Sequence, residues 1–185
     1  MISKQEARQI LHQNIANKNL RKHHYAVAAA MRALAEEFDG DPDRWEIVGL
    51  LHDADYEETK DDPDRHAQVI AEKLRAHGVE ETIVRAIEAH NYEHLDVMPE
   101  STMEWALVTC DDLTGLIVAV ALVHPNKLAD VSVESVMKKF DSNSFAAGAD
   151  RDRIRLCEEK LDTPLEEFIG IVLDAMKESS DELGL

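Results

Sequence analysis

The chain has 185 residues, which suits one domain large enough to bury a hydrophobic core. Its formal net charge of −18 argues against binding to nucleic acid polymers or anionic membranes, because both attract clustered lysine and arginine. Apolar residues make up 44% of the sequence and charged residues 31%, a balance typical of soluble globular proteins. Glycine and proline are few and strand-like alternation is scarce, so we expect an all-α fold.

Cysteine usage and the amino terminus point to the cytoplasm. Cys110 and Cys157 form neither a metal-binding spacing nor a disulfide framework, and we expect both to be reduced. Residues 1–6 lack the apolar stretch of a signal peptide, and the apolar run over 113–123 is shorter than the ~20 residues of a membrane span. We therefore expect a cytoplasmic protein with no membrane partner, either a monomer or a homodimer.

Capping signals and helical periodicity predict a series of helices. In chain order they are a helix opened by the capping box of Ser3 and Glu6, helices over about 20–38 and 42–54, a helix opened by Pro63 and ended by Gly78, helices over about 80–90, 102–123, 132–140 and 150–161, and a last helix opened by Thr163 and Pro164. Polar loops are expected over 57–62 and 91–101. With no internal repeat or linker, residues 1–185 are expected to form a single compact helical bundle.

The stretch Leu50-Leu51-His52-Asp53 places an imidazole and a carboxylate directly after a buried apolar run. Both groups are costly to bury unless something satisfies them. Neighbouring helical residues diverge by about 100°, so His52 and Asp53 do not face each other, but a cation seated between them could bind both. A polar helix end explains the pair alone better than a metal site does, so a metal site is indicated only if other helices supply further ligands.

Two further histidines point inward from other predicted helices. His23 lies on the apolar stripe of the second helix, four residues before Val27, although helical phase does not exclude His24. His66 shares a helix face with Ile70.

The later helices add another histidine and a pair of carboxylates. His90 shares a face with Ile87 at the last turn of its helix. Asp111 and Asp112 interrupt an apolar helix at its middle, where carboxylates are costly unless paired or bound to metal. Helical phase does not separate these two aspartates. Nitrogen and oxygen ligands of this kind suit Mn, Mg, Fe, Co, Ni or Zn.

This ordered set of residues resembles the HD-domain superfamily of metal-dependent phosphohydrolases. The elements that carry the resemblance are Lys22-His23-His24-Tyr25-Ala26-Val27, Leu50-Leu51-His52-Asp53, the His66-led segment to Leu74, Ala86-Ile87-Glu88-Ala89-His90-Asn91 and Thr109-Cys110-Asp111-Asp112-Leu113. The family pattern selects His23 over His24 and Asp111 over Asp112. Residues 116–118, 144–148 and 165–168 are also similar to short stand-alone HDIG-type proteins. One departure is Ala54-Asp55, where many relatives carry Ile-Gly.

The resemblance implies a metal site, a catalytic residue and a reaction. The implied metal ligands are His23, His52, Asp53, His66, His90 and Asp111, holding one or two divalent ions. They lie in a core over about 20–125, followed by a C-terminal helical extension over about 126–185. The implied reaction is hydrolysis of a phosphate ester of a nucleotide or other small phosphorylated metabolite, with Asp53 orienting or deprotonating a metal-activated water.

Two alternatives to the hydrolase stay open at this point. A di-iron oxygenase of the kind represented by myo-inositol oxygenase has the same ligand pattern, and ligand type does not discriminate iron from the other ions. A non-catalytic module that binds a nucleotide is the second alternative. The intact set of metal ligands argues mildly against it, because a degenerate site would be expected to have lost some of them.

Overall fold

A computed structural model describes residues 2–142 and 144–185, and over these ranges it contains helices and no strand. The α-helices are α1 (Lys4–Asn14), α2 (Lys18–Glu37), α3 (Pro42–Leu51), α4 (Tyr56–Thr59), α5 (Gln68–Ala76), α6 (Glu81–His90), α7 (Tyr92–Leu95), α8 (Thr102–Leu122), α9 (Val133–Phe140), α10 (Arg151–Lys160), α11 (Leu165–Glu178) and α12 (Ser180–Leu183). A 3₁₀ helix covers Lys127–Asp130. The all-α fold expected from the sequence is confirmed, as is the capping box of Ser3 and Glu6 at the start of α1.

Helix α3 lies at the centre of the bundle, where it packs along α2 and also contacts α6 and α8. Gly49 permits the close approach to α2, because a Cβ at this position would lie 2.7 Å from the Cα of Ala28. Leu50 and Leu51 are completely buried next to this contact. The packing places the carboxyl end of α3 beside α2, α6 and α8, so that side chains from all four helices can meet there.

Helix α8 is the core helix on which much of the bundle packs. By length and composition alone it could cross a membrane, although the 113–123 run taken by itself is shorter. Most of it is buried against α2, α6 and α10, and Asp111 and Asp112 lie at its middle. This burial inside the bundle is the pattern of a core helix in a soluble protein.

The C-terminal helices cover the same core. Helix α11 packs on α2 and α8, and α10 packs on α8. Phe168 and Val172 are completely buried and belong to the hydrophobic cluster that also contains Leu50 and Leu107. The division into a core over about 20–125 and an extension over about 126–185 stays a prediction.

The chain departs from the expected helix bounds just after α3. The helix ends at Leu51 instead of Ala54, because a tight turn follows in which the Ala54 N–H donates to the Leu51 carbonyl oxygen at 3.1 Å. The Tyr56 N–H then donates to the Asp53 carbonyl oxygen at 2.8 Å and starts the short helix α4. Helix α4 occupies part of the loop expected over 57–62, and α7 occupies part of the loop expected over 91–101.

His66 was expected on the helix opened by Pro63, and this expectation was wrong. Helix α5 begins at Gln68, and the residues after Pro63 form turns. Ala67 has a φ angle of 67°, in the left-handed region that side chains disfavour, so no helix can run through it. His66 therefore lies in the corner that leads into α5 and not on the helix itself.

Candidate metal centre

Six side chains predicted to bind metal come together at the carboxyl end of α3. They are His23 of α2, His52 and Asp53 immediately after α3, His66 before α5, His90 at the end of α6 and Asp111 in the middle of α8. Five of them stand on a helix or directly after one, and His66 stands in the corner that leads into α5. Metal sites in helical bundles are built from inward side chains in this way.

The candidate ligands form two groups that share one carboxylate. The first group is His23, His52 and Asp53, and the second is Asp53, His66 and His90. Within each group the ligand atoms lie within 4.8 Å of one another, a spacing that one cation can bridge. Asp53 belongs to both groups, so its carboxylate can contact two cations at once.

The Asp53 carboxylate is the centre of the second group. Its Oδ1 lies 3.1 Å from the Nε2 atoms of both His66 and His90. The two Nε2 atoms are 3.2 Å from each other. Three ligand atoms thus face a common point, and only 17% of the Asp53 side chain is exposed.

Asp111 stands beside the first group. Its Oδ1 lies 3.0 Å from Nε2 of His23 and 3.5 Å from Nε2 of His52. The Nε2 atom of His52 is buried and makes no hydrogen bond within the described part of the chain. A buried imidazole nitrogen aimed at two carboxylates without a hydrogen bond fits a metal ligand.

Hydrogen bonds to the backbone fix the orientation of two of these imidazoles. The Nδ1 atom of His52 donates to the Gly49 carbonyl oxygen at 2.9 Å, and Nδ1 of His90 donates to the Ile87 carbonyl oxygen. The carbonyls can only accept, so each Nδ1 carries the proton and each Nε2 is left to bind a cation. The residues present therefore fit divalent metal.

The HD domain family model matches residues 20–121, which contain all six candidate ligands. The chain belongs to the HD domain family. HD domains bind divalent metals and are typical of metal-dependent phosphohydrolases. Comparisons with curated proteins and with solved structures found no match. The narrower HDIG-type assignment stays a prediction.

Charges within this HD domain stabilise one another in the absence of metal. Burial opposes the charged form of His52, but Asp53 and Asp111 outweigh it and raise the pKa to about 9. Burial likewise opposes the charged form of His66, but Asp53 and Asp55 raise its pKa to about 10. Burial disfavours the charged form of Asp53, yet the surrounding histidines hold its pKa well below the usual value. A cation bound among these groups replaces the positive charge that the histidines otherwise supply.

The structure separates each neighbouring pair that helical phase left open. His24 is the more deeply buried of the two histidines in α2, contrary to the apolar-stripe argument, and belongs to neither ligand group. His23 is partly exposed and faces the other ligands. Asp112 accepts a hydrogen bond from the Asp150 backbone N–H at 3.0 Å, and burial together with Asp111 raises its pKa to about 6.

Sequence reasoning missed Asp55 as a member of the HD domain site. Its carboxylate is completely buried and accepts a hydrogen bond from Nδ1 of His66 at 3.0 Å. It also accepts from the backbone N–H groups of Ala67 at 3.2 Å and Ile70 at 2.9 Å. The one feature of the sequence that could have indicated a role for Asp55 is that many relatives carry glycine at this position.

Proposed function

We propose that this HD domain hydrolyses a phosphate ester of a small metabolite with the help of divalent cations. The proposal rests on one observation: the Asp53 carboxylate belongs to both groups of candidate ligands, each of which also contains two imidazoles. In the proposed site His23, His52, Asp53 and Asp111 hold one cation. A second cation is held by Asp53, His66 and His90.

A cleft of about 500 Å³ leads to the proposed ligands and has the size expected for a small-molecule site. Its lining consists of Leu20, His23, Asp53, Tyr56, Asp111, Asp112, Gly115, Ala146, Gly148 and Ala149. None of these described residues is a lysine or an arginine, and the whole chain carries a net charge of −18. An anionic phosphate therefore needs bound cations to compensate its charge. The cleft supports a small phosphorylated substrate better than a nucleic acid polymer.

The arrangement supports water activation by a carboxylate. When bound, divalent cations polarise a phosphoryl oxygen and lower the pKa of a water toward neutrality. Oδ1 of Asp53 lies 3.1 Å from Nε2 of both His66 and His90, so the carboxylate stands among the proposed ligands, where it can orient this water and accept its proton. His23 lines the cleft, and its Nε2 atom lies 3.0 Å from Oδ1 of Asp111.

The proposal is tested by metal analysis followed by an activity panel. We expect elemental analysis to find divalent metal, and phosphatase or phosphodiesterase substrates to be cleaved with Mn, Mg, Co, Ni or Fe. Metal-free protein prepared with chelator is the control and should be inactive. Oxygen consumption with iron-dependent visible absorption, and no hydrolysis, would instead favour the oxygenase. Nucleotide binding without turnover would favour a regulatory module.

The two adjacent aspartates of α8 are expected to differ sharply. Asp111→Asn should lower metal-dependent kcat/KM by about 100-fold or more, because Asp111 lies 3.0 Å from Nε2 of His23 and would hold the same cation. Asp112→Asn should lower it by less than about 10-fold, since the Asp112 carboxylate contacts the Asp150 N–H and the Arg153 guanidinium instead of the candidate histidines. Steady-state kinetics on the best substrate of the panel measures both. Equal losses, or the reverse order, would contradict the assignment of Asp111.

A further inference from the structure

His66 lacks the backbone acceptor that orients the other two histidines around Asp53. His52 and His90 follow a helical turn, and each donates its Nδ1 proton to the carbonyl oxygen three residues earlier. His66 lies in the corner before α5, where its own N–H donates to the Pro63 carbonyl oxygen at 3.3 Å. Its imidazole therefore needs an acceptor from a side chain.

Asp55 provides that acceptor from the turn that follows α3. Its Oδ1 lies 3.0 Å from Nδ1 of His66, while Nε2 of the same ring lies 3.1 Å from Oδ1 of Asp53. The hydroxyl of Thr59 lies 3.2 Å from the same Nδ1 and donates to the Asp55 carbonyl oxygen at 3.0 Å. The ring is thus held between two carboxylates, one on each nitrogen.

We propose that Asp55 is a positioning residue that keeps the proton of His66 on Nδ1 and its Nε2 atom free for a cation. The inference rests on the proposed metal site, because it concerns the second cation held by Asp53, His66 and His90. Carboxylates that accept the second N–H of a metal-bound imidazole fix its tautomer and raise its basicity. Asp55 has the geometry for this role and is completely buried, so water does not compete for it.

A purely structural role for Asp55 has to be distinguished from positioning. The carboxylate also accepts the N–H groups of Ala67 and Ile70 at the start of α5, where Ala67 offers no capping side chain. It thereby holds the left-handed Ala67 in its corner. Oδ1 accepts the Ala67 N–H and Oδ2 accepts the Ile70 N–H, whereas asparagine has only one acceptor oxygen. A capping role alone therefore predicts a lower melting temperature for Asp55→Asn, without a selective loss of the second ion from the folded protein.

Positioning predicts a different outcome for the same variant. Asparagine has one acceptor oxygen, and if this oxygen receives the Ile70 N–H, the amide NH₂ faces Nδ1 of His66. An NH₂ group opposite Nδ1 favours the tautomer with the proton on Nε2, which blocks the metal-binding atom. If the oxygen turns to His66 instead, the orienting acceptor is neutral and the imidazole is a weaker ligand.

Titration calorimetry with Zn²⁺ on metal-free protein tests the proposal. We expect Asp55→Asn to weaken the second ion by about 10- to 100-fold and to leave the first ion unchanged. Asp41→Asn is the control for changing a helix-capping aspartate, because Asp41 caps α3 through the N–H groups of Asp43 and Arg44 at the end of α3 away from the candidate ligands. Asp41→Asn should bind both ions as wild type does. Wild-type affinity for the second ion in a folded Asp55→Asn would overturn the positioning role.

Nitrogen-15 NMR of wild-type protein loaded with Zn²⁺ gives a test that does not depend on the variant folding. Correlations through the imidazole ring should show His66 with a proton on Nδ1 and the metal on Nε2. The opposite tautomer, or metal on Nδ1, would overturn the inference. In a folded Asp55→Asn we expect this pattern to be lost or mixed for His66 and kept for His90, whose acceptor is the Ile87 carbonyl oxygen.

The results also separate this inference from the proposed function. If wild-type protein binds no Zn²⁺ and hydrolyses no phosphate ester, the proposed function fails and the positioning role falls with it. If wild type binds metal but His66→Ala changes no binding constant, the second-cation site and the role assigned to Asp55 are overturned, while hydrolysis that depends on the first cation is not. If wild type binds two ions and Asp55→Asn selectively weakens one, both proposals are supported.

Discussion

The Asp53→Ala variant is expected to lose both bound ions and to hydrolyse phosphate esters at least about 1,000-fold more slowly than wild type. Asp53 is shared by the two ligand groups, and its Oδ1 lies 3.1 Å from Nε2 of both His66 and His90. Its removal deletes a negative charge from each group together with the proposed base. Elemental analysis after dialysis measures the first loss, and steady-state kinetics measures the second.

The helical fold should survive this substitution, because the bundle is held by apolar burial around α3 and α8. Circular dichroism should therefore be unchanged. Asp174→Ala is the matched control, since Asp174 is an exposed aspartate of α11 and should keep full metal content and turnover. Full metal-dependent turnover in Asp53→Ala would show that the shared carboxylate is not the catalytic centre.

Much of the site follows from helical pattern alone. His90 ends α6 on the face of Ile87, and Asp111 interrupts a buried apolar helix. The period of α6 turns His90 inward, and Asp111 lies inside because its helix is apolar around it, although this does not separate it from Asp112. Because His52 and Asp53 directly follow an apolar helix, the sequence also places them at its buried end.

The corner at His66 could not be predicted in this way. Proline at position 63 and the spacing to Ile70 favour a helix through His66, yet α5 begins only at Gln68. The reason is a contact between residues distant in the chain, since the Asp55 carboxylate binds the N–H groups of Ala67 and Ile70 and stabilises a left-handed residue. Tertiary contacts of this kind override local propensity.

The choice between neighbouring residues has a similar origin. In α2 both His23 and His24 face protein, and their depth depends on how closely α3 approaches at Gly49. This approach buries His24 and leaves His23 beside the cleft. The apolar stripe and the family pattern both favoured His23 in advance, but helical phase carries no information about the approach and did not predict that His24 is the more deeply buried.

Wild-type protein is expected to bind two divalent ions at saturation, and His66→Ala and His90→Ala are each expected to bind one. Six candidate ligands are more than one ion needs if it also keeps positions for water and substrate. The Nε2 atoms of His66 and His90 lie 3.2 Å apart, and each lies 3.1 Å from Oδ1 of Asp53. Removing either imidazole leaves the second ion with too few protein ligands, while the first keeps all four of its ligands, including Asp53.

Calorimetry combined with elemental analysis decides this stoichiometry. His94→Ala is the matched control, because His94 is an exposed histidine that contacts Asp64 and belongs to neither ligand group. It should bind two ions as wild type does. This result would show that the second ion is not lost when just any histidine is replaced. A stoichiometry of one for wild type under saturating metal would instead assign His66 and His90 to substrate contact or to the core. Asp53 would then serve a single cation, and the proposed reaction would depend on that ion alone.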